Sequence, residues 1–543
     1  MKALTAAEMR EVDRLTSERF GVPSLQLMEA AGEQVAEAVL REFAPGLPAR
    51  VCVLCGKGNN GGDGLVAARQ LKGARCDPRV YLFGRAEELR GDAAENLRRW
   101  QETGGALTVV GDSAAWEAVW AEVAGADVIV DALLGTGLRG AAEGPMAQAI
   151  EDVNRLSGNA TAATPRLIVA VDTPSGLPAD GAAAGGPVLR AHRTVTFTAP
   201  KIGQLVSRDA GACGALQVSA IGTPAALVEQ TGQGRIRWCE AQEFAELPLV
   251  RAAEAHKGSY GHVLLVCGSQ GKSGAAVLAG RGALRAGAGL VTVATPEVVQ
   301  GVVAAGQPEY MTEGLRATET GMASLASLEY GRFAQILEGK SVLALGPGLG
   351  THPETQELIR VVVRDAQLPV ILDADALNAF AGRGEELRGR AGRPVALTPH
   401  PGEMARLLGS TSAAVQGERL QTAQEAARRW NACVVLKGFH TLIAGPEGSV
   451  FVSTSGNAGL AKGGTGDVLT GMLAGLTAQF GTAEWARVLA LGVYLHGLAA
   501  ERAPILSGRA TAEGDASGLL AGEVAEALPA VRLGLLRELQ QRG

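Results

Sequence analysis

The sequence predicts an α/β protein of two units in tandem, each a mainly parallel sheet with helices on both faces. Three observations carry this. Short β-branched runs alternate with helical patterns, as strands buried on both faces do. The alternation runs from residue 50 to 198, loses its rhythm over 222–258, and resumes at GHVLLVCGS (261–269). Glycine turns bearing Asp, Asn, Ser or Lys follow many of the strands, where ligands of open α/β sheets bind.

In order, the pattern predicts a helix over 5–19, opened by a capping box of Thr5 and Glu8, and a second over 24–43. Strands are expected at 50–55, 79–83, 106–110, 127–131, 166–171 and 193–198. The second set lies at 261–269, 290–295, 341–348, 369–375, 394–403 and 433–438. The expected division is a first domain 1–222, a linker 223–250 and a second domain 251–543. The tail 506–543 reads as a loop and a terminal helix.

The chain of 543 residues, 47% hydrophobic, is long enough for more than one core. Aromatics make up only 4%, so the cores must be built from Ala, Val and Leu. A net charge of −6, with no basic run interleaved with aromatics, argues against nucleic acid as a partner. The opening MKALTAAEMREV turns polar too soon for a signal peptide. No stretch approaches the roughly 20 apolar residues that span a bilayer, so no membrane is expected. Seven cysteines, an odd number, argue against a disulfide framework and for a cytoplasmic location. Cys52 and Cys55 form a C-x-x-C, but inside the strand pattern RVCVLC, where they read as two small buried side chains.

Residues 56–64 read GKGNNGGDG. Gly56, Gly58 and Gly61 satisfy G-x-G-x-x-G between a strand and a helix, yet the next strand ends in Gly84-Arg85, without the acid that holds a ribose. Asn60, Asp131, Asp172 and Ser175 should all emerge at one sheet edge. Oxygen ligands suit a hard cation, although each Asp would equally suit a cap or turn. The N–H groups of 135–140 are expected to face a phosphate ahead of a helix.

The segments PSLQLMEAAG (23–32), NNGGDG (59–64), VDALLGTGLRG (130–140) and VDTPSGLPADG (171–181) resemble the NAD(P)H-hydrate epimerases, over nearly all of 1–222. The resemblance implies a Rossmann-like three-layer sandwich. It implies that Asn59, Asn60, Gly61, Gly62 and Asp63 contact the hydrated dinucleotide, as do Gly135, Thr136, Gly137, Leu138, Arg139, Gly140 and Ala141. It further implies a potassium ion on Asn60, Asp131 and Ser175, and a catalytic Asp172 beside the reacting ring. Inverting the ring carbon needs a proton donor and acceptor, whether the hydroxyl leaves or the ring opens.

In the second half, AKGGTGDVLTGMLAGL (461–476) sets Gly-Gly-Thr-Gly at the start of an apolar helix. The free N–H groups form an anion hole, and the helix dipole adds about 0.3–2 kcal/mol for a negative charge. Asp467 on the first turn would be repelled by a bound anion unless it has a task, such as taking the proton from a hydroxyl that attacks phosphorus. The plain alternative is an Asp that favours a helix N-terminus. GSQGKSG (268–274) is not a phosphate-binding P-loop, because position 266 is Val266 where that loop needs glycine.

Gly-x-Gly-Asp at a helix start is the pattern of ribokinase-like kinases. Together with HKGSYGHVLLVCGSQGKSGAA (256–276), GPGLG (346–350), DADALN (373–378), TPHPGEMARLL (398–408) and VVLKGFHTLI (434–443), it resembles the ADP-dependent NAD(P)H-hydrate dehydratases over residues 250–505. The resemblance implies that Lys437, Gly438, Phe439, His440, Thr441 and Gly466 hold ADP, the co-substrate. It implies that Asp467 is the catalytic base and touches the hydrated NAD(P)H, as His400 does, and that Ala288, Gly348 and Gly350 shape the pocket. It also implies Mg2+ and a homo-oligomer. His400 has a second reading, as a brace for its loop. Two further functions stay open at this point: a ribokinase-like vitamin or sugar kinase, and a sensor that binds nucleotides without turnover.

Overall fold

The computed structural model describes residues 1–43, 46, 50–138, 140–157, 166–232, 234–508 and 516–542. The chain divides into two compact units, Lys2–Ile236 and Arg237–Gly543, the latter with Met1.

The first unit holds strands β1 (Val51–Cys55), β2 (Pro78–Phe83), β3 (Ala106–Val110), β4 (Val128–Ala132), β5 (Leu167–Val171), β6 (Arg193–Phe197) and β7 (Ala215–Ser219). Their order is β3-β2-β1-β4-β5-β6-β7, and every pairing is parallel. Along β1, Val51, Val53 and Cys55 face one core and Cys52 and Leu54 the other, because successive side chains of a strand alternate between faces. Each face is filled by one fully buried indole, Trp100 on the first and Trp116 on the second. The expected capping box is present: Thr5 Oγ1 accepts from Glu8 N at 3.1 Å, and Thr5 N donates to Glu8 Oε2 at 2.9 Å.

The second unit holds β8 (Ile236–Trp238), β9 (His262–Val266), β10 (Leu290–Pro296), β11 (Met311–Leu315), β12 (Val342–Leu345), β13 (Val370–Leu372), β14 (Val395–Leu397), β15 (Cys433–Leu436), β16 (Thr441–Ala444) and β17 (Val450–Ser453). The order is β11-β10-β9-β12-β13-β14-β15-β16-β17-β8. Strands β11 to β15 pair in parallel, and β15-β16-β17 are antiparallel. The helices Ser273–Ala286 and Thr465–Phe480 pack closely because glycine meets backbone on both. A Cβ on Gly471 would stand 1.9 Å from Ala279 O, and one on Gly282 2.3 Å from Val468 O. This close approach holds the N-terminus of the helix that begins at Thr465.

Two expectations are corrected. The segment 223–250 is not a spacer. Leu227 and Val228 of the helix Ala225–Gln230 are buried with Leu4, Met9 and Val12, while Phe244, Leu247 and Leu249 belong to the second core. Short apolar pieces without periodicity carry no pattern in sequence but still bury. Strands β7, β8, β11, β16 and β17 were also not anticipated. β7 and β11 are sheet edges with mixed polar composition, and β16–β17 form a hairpin closed by Gly445 N to Ser449 O at 2.9 Å. The seven cysteines are free and buried, Cys52 and Cys55 within β1 as expected.

Candidate functional site

In the first unit the strand order reverses between β1 and β4, and a cavity of about 640 Å³ opens beyond their carboxyl ends. Asn59, Asn60 and Asp63 line it from the start of the helix Asn59–Gly73, and Gly135, Thr136, Gly137 and Leu138 from the turn after β4. Asp172 lines it from the end of β5. Most of the glycines that suggested a phosphate cradle serve packing instead. A Cβ on Gly56 would lie 1.9 Å from Leu133 O, one on Gly61 1.8 Å from Gly56 O, and one on Gly62 2.7 Å from the Met28 sulfur. Gly58 alone among the four meets nothing within 4 Å, and it lines the cavity. Gly61 and Gly62 thus owe their lack of a side chain to packing. Gly140 is exposed and Ala141 lies against Gly185 and Gly186. Arg139 lies outside the described residues, and the following helix starts only at Gly144.

Asn60, Asp131 and Ser175 meet through one turn. Ser175 Oγ donates to Asp131 Oδ1 at 2.6 Å, and Ser175 N to Asp131 Oδ2 at 2.8 Å. Leu134 N donates to Ser175 Oγ at 2.9 Å, and Asn60 Nδ2 to Leu134 O at 3.0 Å. Burial pushes the Asp131 carboxyl up to about 6, against the hydrogen bonds from Ser175 and Leu133. Asn60 Oδ1 is buried with no hydrogen-bond partner among the described residues.

Asp172 carries a positive φ of 59°, a strained conformation that its neighbours over-determine. Lys201, after β6, donates from Nζ to Asp172 Oδ1; Thr196 Oγ1 donates to the same oxygen at 3.0 Å, and Gln204 Nε2 to Asp172 O at 2.6 Å. Lys201 and Asp13 also line the cavity, and sequence reasoning passed over both. Lys201 stands at a strand end in TAPKIGQ, a signal that was available; Asp13 sits inside an amphipathic helix, with none. Asp63 is held well above the usual carboxylate range, chiefly by burial and then by the charges of Asp172 and Asp13.

In the second unit the order reverses between β9 and β12. Gly268 N donates to Pro347 O at 2.8 Å and Ser269 Oγ to Gly348 O at 2.7 Å, joining the turns that follow these strands. Gly348 and Gly350 have φ of 64° and 83°, and Gly350 N donates to Asp375 Oδ2 at 2.8 Å. Ala288 is a correction. It sits in the turn ahead of β10, at the amino edge of the parallel strands, packed in the core. The alanine that adjoins Gly348 is Ala275, whose Cβ would be 2.8 Å from a Cβ placed there.

At the heart of this edge lies a charge cluster. Lys437, after β15, donates to Asp373 Oδ1 at 2.7 Å and lies 3.9 Å from Glu403. Thr470 Oγ1 donates to the other Asp373 oxygen at 2.7 Å. Burial pulls the Lys437 ammonium down, but the charges of Asp373 and Glu403 outweigh it and leave it above the usual lysine range. Asp467 is pushed up to about 6, first by burial and then by the charge of Asp373, against Lys437. A Cβ on Gly466 would face this pair, 3.8 Å from Lys437 Nζ. Gly464 takes φ 95° as the helix N-cap. Thr470 and Asp373 were not anticipated as partners, nor was His496. Its Nε2 lies 3.0 Å from Thr465 O, and burial lowers its pKa to about 4, so the neutral ring donates there.

The remaining predicted residues sit around this cluster. His400 Nδ1 accepts from Gly402 N at 3.0 Å, capping the helix Pro401–Leu408, while His400 N donates to Glu403 Oε2 at 2.8 Å. The His400 side chain is half exposed, and its Nε2 lies 3.4 Å from Glu403 Oε1. Gly438 to His440 form the loop between β15 and β16, with Arg419 donating to the carbonyls of Leu436, Phe439 and His440. Phe439 is 62% exposed and stacks on His440 at 4.0 Å. Thr441 Oγ1 donates back to Gly438 O at 3.2 Å.

Residues 24–203 match the family model described as YjeF-related protein N-terminus, and residues 263–519 the model described as NAD(P)H-hydrate dehydratase. The bifunctional NAD(P)H-hydrate repair enzyme Nnr of Moorella thermoacetica is 43% identical, over 99% of this chain and 98% of its own. That of Escherichia coli is 35% identical, over 87% and 84%. Among solved structures, the ADP/ATP-dependent NAD(P)H-hydrate dehydratase from Bacillus subtilis, co-crystallized with ATP/Mg2+, is 34% identical, covers 55% of this chain and 98% of its own, and has a TM-score of 0.46.

Proposed function

The chain belongs to the family of bifunctional NAD(P)H-hydrate repair enzymes, and from that premise we propose how its residues divide the work. The first unit, Rossmann-like, is the epimerase that interconverts the two C6 epimers of hydrated NAD(P)H. The second, ribokinase-like, is the dehydratase that returns one of them, the S form, to NAD(P)H.

The dehydratase reading is carried by one observation: Asp467 stands on the first turn of a helix opened by Gly464–Gly466, beside the Lys437–Asp373 pair. Asp467 is a carboxylate at neutral pH and takes the proton of the ring hydroxyl. That oxygen attacks the terminal phosphorus of ADP, the bridging P–O bond breaks, and AMP leaves. Phosphate then departs from C6 with the C–O pair, pushed by the ring nitrogen, and loss of a C5 proton restores the double bond. The N–H groups at Gly464–Gly466 hold phosphate oxygens, and the Lys437 ammonium balances the charge that develops on them. His400 meets the hydrate through Nε2, and 438–441 hold the nucleotide. No cluster of three or more His, Cys, Asp or Glu suited to a metal lies among the described residues. This donor set fits Mg2+ brought on the nucleotide's own phosphates, which uses few carboxylates.

In the first unit Asn59, Asn60, Asp63 and the turn 135–138 hold the hydrated dinucleotide, and Asp172 exchanges a proton at its ring. Potassium fits Asn60, Asp131 and Ser175: an orphaned buried amide oxygen and a wholly buried carboxyl both favour a cation. When bound, the ion supplies positive charge next to the dinucleotide. Cytoplasmic location and a homo-oligomer belong to the same reading, and light scattering tests the second.

The decisive experiment mixes the protein with an R and S mixture of hydrated NADH, Mg2+, and ADP or ATP, and follows reduced-nicotinamide absorbance. Full recovery, with AMP formed from ADP, is expected. A stable phosphorylated product would support the kinase alternative, and binding without turnover the sensor.

A further inference from the structure

We infer that Asp13 is the second proton-transferring carboxyl of the epimerase, working with Asp172 across the Lys201 ammonium. The inference rests on the epimerase reading of the first unit. Asp13 lies ahead of the residues matched by either family model.

The chain delivers Asp13 to the cavity by specific fastenings. Leu4 N donates to Pro200 O at 2.9 Å, and Leu4 forms a bridge to Lys201 itself. Ala6 N donates to Asp180 Oδ1 at 2.6 Å. Met9, Val12 and Leu15 bury with Leu4 and Ala199, which fixes the rotation of the helix Ala6–Phe20. Asp13 then lines the same cavity as Asp172, Lys201 and Asp63.

The division of labour follows from who is already bonded. Lys201 is 2% exposed and gives its ammonium to Asp172 Oδ1, Thr196 Oγ1 at 2.8 Å and Phe197 O at 3.2 Å. With three acceptors filled, its ammonium is fixed in place against Asp172. No hydrogen bond holds the Asp13 carboxyl among the described residues. Burial pushes it up to about 6, with Lys201 pulling down and Asp172 adding to the rise. The groups that face it are Lys201 after β6, Asp172 after β5, Asp63 on the helix Asn59–Gly73, and Arg10 on its own helix. One carboxyl held by an ammonium and one with no hydrogen bond among the described residues, lining the same cavity, can divide the roles of base and acid.

Both routes of inversion then balance. If the hydroxyl leaves, the Asp13 proton joins it, water departs with the C6–O pair, and the N1 lone pair fills C6. A water then adds to the opposite face and yields its proton to Asp172, and exchange with solvent water returns Asp172 to its ionised form and Asp13 to its protonated form. If the ring opens, Asp172 takes the hydroxyl proton, the O–H pair forms C6=O, and the C6–N1 pair passes to N1, which takes the proton of Asp13. Closure on the other face returns both protons. No oxidant or further reactant is needed.

The test uses the full chain, with hydrated NADH as probe. In an R and S mixture with ADP and Mg2+, the wild type should restore all the reduced cofactor. Asp13→Asn should stop at the S fraction, with epimerisation lowered roughly 10²–10⁴-fold and turnover of purified S unchanged. The wild-type epimerisation rate should fall on the alkaline side of about 6, and that limb should vanish in Asp13→Asn but persist in Asp13→Glu, which should regain at least about tenfold. Circular dichroism checks that the variants are folded; if Asp13→Asn is not, the displacement of the limb in Asp13→Glu decides, and an unmoved limb overturns the inference. Asp13→Asn epimerising within about threefold of wild type, with the limb in place, overturns it alone. A wild-type chain that leaves R stranded sinks the epimerase reading, and this inference with it.

Discussion

The two units solve the same electrostatic problem in different ways. Each sets its site where the strand order reverses, at β1/β4 in one and β9/β12 in the other, and each buries one lysine among carboxyls. Lys201 has Asp172, Asp13 and Asp63 around it; Lys437 has Asp373, Glu403 and Asp467. In the first unit the lysine bonds Asp172, the carboxyl proposed to act at the ring. In the second it bonds a supporting carboxyl, Asp373, which Thr470 also holds, while Asp467 has no hydrogen bond to its carboxyl among the described residues and its pKa is raised. In the second unit the paired Asp373 is lowered and its neighbour Asp467 is raised to about 6, so a proton exchanged near neutral pH belongs to Asp467. Their glycines differ too. At Gly56 and Gly61 backbone meets backbone, whereas a Cβ on Gly464 would meet the Leu278 side chain at 2.8 Å and one on Gly466 would meet nothing nearer than Lys437 Nζ at 3.8 Å.

The sharpest way to separate the units is Asp467→Asn. It should lower dehydration roughly 10²–10⁴-fold while epimer exchange, followed by chromatography of the R and S forms, stays as in the wild type. A parallel loss of both activities would break the comparison. Next in size is Lys437→Met. It leaves Asp373 buried without its partner, and should destabilise the second unit by about 3–5 kcal/mol, read from denaturant unfolding of the full chain. If instead stability is unchanged, the pair is not what holds that edge together.

Glycine packing gives the third contrast. Gly56→Ala forces a Cβ to within 1.9 Å of Leu133 O and should cost about 3 kcal/mol or more, abolishing epimerisation at assay temperature. Gly58→Ala meets nothing within 4 Å and should change stability by less than about 1 kcal/mol. Equal effects would mean that the loop is not packed as described.

The pH dependence is smaller and has a definite sign. Asp467 is raised from the ordinary carboxylate range to about 6. It works ionised, so kcat/KM for dehydration should hold above that value and fall about tenfold per pH unit below it. An acid limb at the usual carboxylate pKa would remove Asp467 from the role. Smallest is the cation. Replacing potassium by choline should slow epimerisation several-fold, and Asp131→Asn should erase the difference between the two salts. A dependence that survives this substitution would put the ion elsewhere.

Much of the fold was legible because both sheets are built from strands buried on two faces between helices, a pattern that composition alone displays. The edges were not. β7 and β11 carry polar residues on exposed margins, and the pieces 225–230 and 236–249 bury without periodicity. Asn60, Asp131, Ser175, Asp172, Lys437 and Asp467 all stand at strand ends or on the adjoining helix start, as their positions in the sequence suggested. Ala288 was misplaced because a sequence match does not say which edge of a sheet a turn occupies.

By itself, the order of residues determined which side chains follow strands, which helix starts are bare, and hence which chemistry is present. It could not determine which charges meet. The Lys201–Asp172 and Lys437–Asp373 pairs join residues 29 and 64 positions apart, and Asp13 reaches its cavity from a helix two elements before the first strand. Burial and pairing set the acidity of a carboxyl, and both are properties of tertiary packing, so only the folded chain decides which aspartate holds a proton.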